Sequence, residues 1–188
     1  LDLSSFYFDI RKDVLYCDSI KSKKRKNCVI VLNIILECLL KWFAPILVFT
    51  SEEIFSLLNK DSKESIHEYS FPKIPNGWNN QSLNKKWKEL FDIRQVVNIA
   101  IEEKRSNKEI GSSLEAELQI TIDSEKFKLL DGIDLAEYFI TSKAEKIKSD
   151  KKSELGIEVI KSSGVKCSRC WKILDTKCSR CEDAVKAG

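Results

Sequence analysis

The chain has 188 residues, 43% of them hydrophobic and 32% charged, enough for one ordinary core or one core with small appendages. Lys41 and Pro45 interrupt its best apolar run, which excludes a membrane span and a membrane partner, and the opening "LDLSSFYFDIRKD" lacks the basic start and apolar centre of a signal peptide, so a cytoplasmic location is expected. The net charge of +3 is uneven: residues 1–26 carry +3, residues 166–188 carry +3 and the stretch between carries −3, which points to a polyanionic partner touching both ends.

In chain order, Phe6 to Tyr16 is short and amphipathic, and the basic run "KSKKRK" follows from Lys21 to Lys26. Val29, Leu32, Ile35, Leu36, Leu39 and Phe43 recur at helical spacing and predict one buried helix face, ended or kinked by Pro45. Thr50 and Glu53 have the spacing of a capping box and predict a further helix through "SEEIFSLL". Asn59 to Ser82, punctuated by Pro72, Pro75 and Gly77, predicts a long loop. The next helix is predicted over Leu83 to Lys108, with Leu83, Trp87, Leu90, Phe91, Val97 and Ile101 on its apolar side and Gly111 as its stop. The period then changes to two. Leu114, Ala116, Leu118, Ile120 and Ile122 alternate with polar residues, the signature of a half-buried strand. Glu137–Thr141 and Ile157–Ile160 read as short strands, separated by a lysine-rich surface loop, "KAEKIKSDKKSE".

Seven cysteines divide into two groups. Cys17, Cys28 and Cys38 stand alone in the helical part and read as small hydrophobes. Cys167, Cys170, Cys178 and Cys181 form two Cys-x-x-Cys pairs seven residues apart, "CSRCWKILDTKCSRC". Each pair makes a tight turn with two sulfurs on one side, and two facing turns supply a tetrahedral four-sulfur zinc site. Nearby Lys166, Arg169, Lys172, Lys177 and Arg180 favour thiolates and metal binding. A redox pair needs a thioredoxin-like unit that is not visible, and disulfides suit a secreted chain; both stand as alternatives to zinc. The expected fold is therefore mainly α: a helical bundle over residues 1–108, a small α+β module over 109–162 and a zinc knuckle over 163–188.

No catalytic centre is legible. His67 is the sole histidine, no Gly-rich loop follows a strand, and a closed four-sulfur site has no open position for water. The chain reads as a binding module. Its candidate surfaces interleave basic and aromatic residues: "FYFDIRKDVLY", "KSKKRK", "NKKWKEL" and "SRCWK". Lysine and arginine suit phosphates, and Trp171 beside the knuckle either stacks on an unpaired base or covers the knuckle.

At these residues the chain resembles the C-terminal part of bacterial-type isoleucyl-tRNA synthetases over nearly its whole length. "LSSFYFDIRKDVLYCD" and "ILECLLKWFAPILVFTSEEIF" resemble the anticodon-binding helical domain, "VNIAIEEKRSNKEIGSSLEAEL" and "EYFITSKAE" the junction after it, and "GVKCSRCWKIL…KCSRCEDAV" the terminal zinc domain. The resemblance implies a module that grips isoleucine tRNA at its anticodon stem-loop. A distant catalytic part of the same synthetase, with its ATP-binding signatures, is not in this chain. It implies one structural Zn²⁺ on Cys167, Cys170, Cys178 and Cys181 and places Arg169 and Trp171 near the tRNA; Arg11, Lys12, Lys23, Lys24, Arg25, Lys172 and Arg180, from the basic surfaces above, are the further candidate tRNA contacts, and a monomer is expected. Val14 stands where the family carries a basic residue, and the loop between the cysteine pairs is shorter than the family's. The alternative reading is a zinc-knuckle module that docks protein without recognising a specific tRNA.

Overall fold

The computed structural model describes residues 2–151 and 154–187. The chain forms two compact units, Leu1–Ile20 with Asn80–Gly188, and Lys21–Asn79. This division cuts elsewhere than the changes of sequence character at 108 and 162.

Helix α1 (Asp9–Cys17) belongs to the first of these units; the Lys21–Asn79 unit holds α2 (Lys23–Phe43) and α3 (Val48–Leu58), followed by a loop with two single 3₁₀ turns. Ser22 caps α2 by accepting from the Arg25 N–H at 3.3 Å. Helix α3 starts at Val48 without a side-chain cap, so Thr50 lies inside it and the expected capping box is not used. The turn after Pro45 does the work instead, with the Leu47 N–H bonded to the Phe43 carbonyl at 2.7 Å. Glu52 pins the loop: its Oε2 accepts from the Ser65 hydroxyl at 2.7 Å and the Ile66 N–H at 3.1 Å. That buries Ile66 against Leu40, Ala44 and Phe55. The expected buried face of α2 is corrected here. Cys28 and Leu40 are its buried residues, whereas Val29 and Phe43 are exposed. Within this unit α2 packs on α3 and the Ile66 turn alone among the larger contacts, too little to cover a full apolar stripe.

The other unit opens with a π-helical Asp2–Phe8 that runs into α1 (Asp9–Cys17). Helix α4 (Gln81–Ser106) is capped by Asn80, whose Oδ1 accepts from the Leu83 N–H at 3.0 Å. It stops before Gly111, because Lys108 already turns the chain at φ 60°. Strand β1 (Ala116–Asp123) leads to α5 (Ser124–Leu129), α6 (Leu135–Tyr138), β2 (Lys143–Ser149) and β3 (Leu155–Lys161). The sheet order is β2-β1-β3, parallel for β1/β2 with Leu118 opposite Ala144, and antiparallel for β1/β3 with Leu118 opposite Val159. The alternation read in the sequence is the alternation of burial: Ala116, Leu118, Ile120 and Ile122 all point into the core against Leu90, Val97 and Phe139.

Two sequence expectations change in this sheet. Glu137–Thr141 is not a strand, although its Tyr, Phe, Ile and Thr are strand formers. Asp134 accepts from the Glu137 N–H at 3.1 Å and nucleates the single turn α6 instead, after which Ile140 reverses the chain at φ 58°. The lysine-rich stretch is not a loop over 143–149 but strand β2; Lys152 and Ser153 of that stretch lie outside the described residues. Lys146 shows why the charge is tolerated. Its stem crosses the Phe127 ring, with Nζ 4.1 Å from the centroid, and its ammonium bonds the Phe127 carbonyl at 3.0 Å and the Asp131 carboxylate.

Arg94 of α4 is only 8% exposed and sits over the rings of Phe6 and Tyr138, 5.5 and 5.3 Å from their centroids. It joins the N-terminal segment to the core by cation–π contact, and burial lowers its pKa while raising that of Tyr138 to about 12. The register of β1 makes a direct prediction. Leu118→Ala loses about 2–5 kcal/mol of unfolding free energy, measured by denaturant titration, and Gln119→Ala on the other face loses under about 1 kcal/mol. Equal losses would contradict this assignment of faces.

Candidate metal centre and nucleic-acid interface

The tail is a small hairpin and a helix: β4 (Val165–Lys166) pairs antiparallel with β5 (Ile173–Leu174), and α7 (Ser179–Lys186) follows. Gly164 makes the hairpin possible. It has φ 130°, and a Cβ there would lie 2.4 Å from the Leu174 carbonyl oxygen. The first cysteine pair sits in the turn between the strands. The Trp171 N–H bonds the Cys167 carbonyl and the Cys167 N–H bonds the Lys172 carbonyl, both at 2.9 Å. Trp171 closes this turn at φ 64°. The second pair sits at the start of α7, with Cys178 as N-cap and the Cys181 N–H bonded to its carbonyl at 3.1 Å.

These two turns bring the four sulfurs of Cys167, Cys170, Cys178 and Cys181 within 4.8 Å of one another. Cys170 and Cys178 sulfurs are 3.9 Å apart, about twice too far for a disulfide. A tetrahedral zinc with bonds of ~2.3 Å needs sulfurs roughly 3.8 Å apart, so the donor set fits that ion with a slight contraction. The thiol electrostatics also ask for a cation. Backbone N–H groups of Cys170 and Arg169 lower Cys167 to about 7, but burial raises Cys170, and burial together with the neighbouring sulfurs raises Cys181. Four thiolates cannot share this space unless a metal balances them.

Cys17 joins this cluster from α1, packed against Cys170 and Cys181. Its sulfur lies 3.7 Å from the Arg169 carbonyl oxygen. The sequence reading of a small buried hydrophobe holds for its packing, but not for its neighbours, which are 150 residues away in the chain.

Two arginines bind the knuckle to α1. Arg180 grips both oxygens of Asp13, at 2.6 and 2.8 Å, and reaches Asp18 at 3.3 Å. Burial alone would raise the Asp13 carboxyl; the hydrogen bonds and charge of Arg180 outweigh it and hold the group below its usual range. Arg169 donates to the Cys17 carbonyl and, at 2.8 Å, to the Tyr16 carbonyl, which complete the C-terminal end of α1. A third arginine, Arg11, bonds Glu137 of α6 at 2.8 Å. Ser142 closes the ring of contacts: its hydroxyl accepts from the Ile173 N–H at 2.6 Å and donates to the Leu114 carbonyl.

Between α1, the turn after α6 and the knuckle lies a mainly apolar cavity of about 460 Å³. Tyr16, Ile140 and Trp171 line it together with Lys12 and Lys172. Trp171 is 61% exposed, and both it and Ile140 hold positive φ angles, rare for residues that are not glycine.

The residues named from sequence now separate. Arg11, Lys12, Arg169, Trp171, Lys172 and Arg180 come together around this cavity and its walls. Of these, Arg11, Arg169 and Arg180 have guanidinium groups engaged within the chain, while Lys12 is exposed and pairs with half-buried Asp9 at 2.9 Å. Lys23, Lys24 and Arg25 belong to the other unit, in the first turn of α2. Val14 is 1% exposed, so its position faces the interior and offers no surface from which a contact could be missing. Asp13, Glu137 and Ser142 escape sequence reading, because nothing local to them signals partners so far away in the chain.

The family described as the anticodon-binding domain of tRNA ligase matches residues 1–122. The chain is similar to isoleucine–tRNA ligases of Pelagibacter ubique (54% identical over 97% of this chain), Agrobacterium fabrum (41% over 92%) and Gluconobacter oxydans (36% over 99%). It spans about a fifth of the length of these curated relatives, 20%, 19% and 20% respectively. With the family match covering well over half of its residues, the chain belongs to the anticodon-binding domain family of the tRNA ligases.

Proposed function

We propose that this chain is the tRNA anticodon-binding and zinc-binding part of an isoleucine–tRNA ligase. It holds isoleucine tRNA while a catalytic part outside this sequence joins isoleucine to that tRNA at the expense of ATP. The observation that carries the reading is the identity shared along more than nine-tenths of the chain with proteins named isoleucine–tRNA ligase. The ligase works as a cytoplasmic monomer; among the described residues no helix is long and apolar enough to cross a membrane.

Cys167, Cys170, Cys178 and Cys181 hold one Zn²⁺, which contributes folding free energy on the order of 10 kcal/mol and leaves no position open for water. The chain's own residues do the binding. Trp171, projecting at the cavity rim, stacks on an unpaired base, and Tyr16, also exposed, offers a second ring beside it. Lys12 and Lys172 meet phosphates. Lys23, Lys24 and Arg25 lie in the first turn of α2, where the helix dipole already disfavours cations. Three positive side chains there, with no acid among them, make a patch that a phosphate backbone stabilises. Arg11, Arg169 and Arg180 serve the same surface from within, by holding its walls together.

Binding to isoleucine tRNA, followed by filter retention or anisotropy across a salt series, is expected to weaken steadily as salt rises and to exceed binding to an unrelated tRNA. Trp171→Ala lowers the affinity about 5- to 100-fold, the range expected for one lost base stack of ~1–3 kcal/mol. Equal affinity for both tRNAs in the wild type would overturn anticodon recognition by this chain. Metal analysis is expected to find one zinc per chain. Cys178→Ser or a strong chelator removes it, unfolds the tail in hydrogen exchange and lowers the tRNA affinity along with it. A tail that stays protected without metal would remove zinc from the account.

A further inference from the structure

The cavity beside the knuckle has three walls that are remote in sequence, and each pair of walls is joined by its own polar contact. Helix α1 meets the knuckle through Asp13–Arg180 and through Arg169 on the Tyr16 and Cys17 carbonyls. Helix α1 meets α6 through Arg11–Glu137, and the turn after α6 meets β5 through the Ser142 hydroxyl. Among the described residues, α1 and the knuckle share a buried apolar cluster of Cys17 with Cys170 and Cys181. The ion pair is the polar contact of the set that reaches α7, because Arg180 stands in its first turn between Cys178 and Cys181.

Asp13 and Asp18 are also the wrong sign for a surface that receives phosphates. Two carboxylates lie within 3.3 Å of Arg180: Asp13, which lines the cavity with Asp9 and Tyr16, and Asp18, the residue after α1. By charge alone they oppose RNA binding. Their place is explained by geometry: a planar guanidinium held at both oxygens of one carboxylate fixes orientation as well as distance. A base needs a cavity of set width, and preorganising that width removes the ordering cost from the binding step.

Resting on the tRNA-binding reading above, we propose that Asp13 is a positioning residue for RNA: through Arg180 it sets the knuckle, and with it Trp171, at the distance from α1 at which the cavity accepts a base. An acidic side chain that touches no RNA is then required for RNA affinity. The inference and plain electrostatics predict opposite signs, which makes them separable.

The test uses the zinc-loaded chain and isoleucine tRNA. Asp13→Asn removes a negative charge yet is expected to lower affinity about 5- to 10-fold with one zinc retained. Arg180→Lys keeps the charge, loses the two-point grip, and is expected to lower affinity by a similar factor. The double variant is expected to be no weaker than the weaker single, because both substitutions break one interaction. Affinity for Asp13→Asn equal to or above the wild type, or losses that multiply in the double variant, would overturn the proposal. An RNA-free readout keeps the two readings apart: zinc transfer to a chromogenic chelator is expected to run about fivefold faster in either variant, as the knuckle leaves α1. If the wild type shows no preference for isoleucine tRNA, the functional reading fails and this rate still decides the clamp, with an unchanged rate in Arg180→Lys counting against it. Should Asp13→Asn lose its zinc, the charge-conserving Arg180→Lys carries the binding arm, and unaltered tRNA affinity there rejects the positioning role.

Discussion

The two-point grip of Arg180 on Asp13 joins positions 167 residues apart, and the candidate binding surface depends on it. The pair is neither exposed nor sealed: the Arg180 side chain is 37% accessible and that of Asp13 24%. An exposed pair of this kind contributes little, and a sealed one carries a large desolvation cost. Half-burial with bidentate geometry and a second acceptor in Asp18 lies between these limits, where orientation is the main gain. The tail needs such an external reference. Its hairpin has two-residue strands, and its own apolar content is slight, so zinc can shape it but cannot place it.

This placement changes how the basic residues are understood. A cation in sequence is only an available charge. Arg169 and Arg180 flank the metal ligands and look like RNA contacts, yet one completes the end of α1 and the other carries the ion pair. Lys12 and Lys172 hold the same sign with weaker internal ties, and Trp171 stands exposed beside them. The division follows chemistry. A guanidinium suits phosphate as well as carboxylate, but here its fork is already held by Asp13 or by backbone carbonyls, whereas the lysine ammoniums are point charges on flexible stems.

Much of the layout was legible because it is periodic. The period-two run from Ala116 to Ile122 marks β1, and the apolar side of α4 was read correctly at Leu90, Val97 and Ile101. The clustering of the four paired cysteines was legible because Cys-x-x-Cys is a local geometry, and the structure brings their sulfurs together. What failed was non-local or depended on a single cap. Asp134 turned the strand-forming "EYFIT" into a helical turn, and β2 was hidden by lysines, of which Lys146 sets its ammonium over the Phe127 ring. The apolar stripe of α2 was real as a pattern, but a pattern names no partner, and Val29 and Phe43 remain uncovered. The cavity was invisible for the same reason: its walls come from three remote segments, and no local signal in "KDVLYCD" pairs Asp13 with Arg180.

The short loop between the cysteine pairs can now be judged by what its residues do. Seven residues, Trp171 to Lys177, separate Cys170 from Cys178. Ile173 and Leu174 of these form β5, while Trp171 before them and Asp175 to Lys177 after them are exposed. Trp171 is its first residue, held by the Cys167 carbonyl inside the first metal turn, and Lys172 follows it. Asp175 to Lys177, which join β5 to Cys178, lie outside the turn that holds Trp171. The Trp171 end is set by the first cysteine turn and by the contacts with α1. Reach toward RNA in this chain is therefore a matter of how firmly the knuckle is held against α1, and the residue that decides it carries a negative charge.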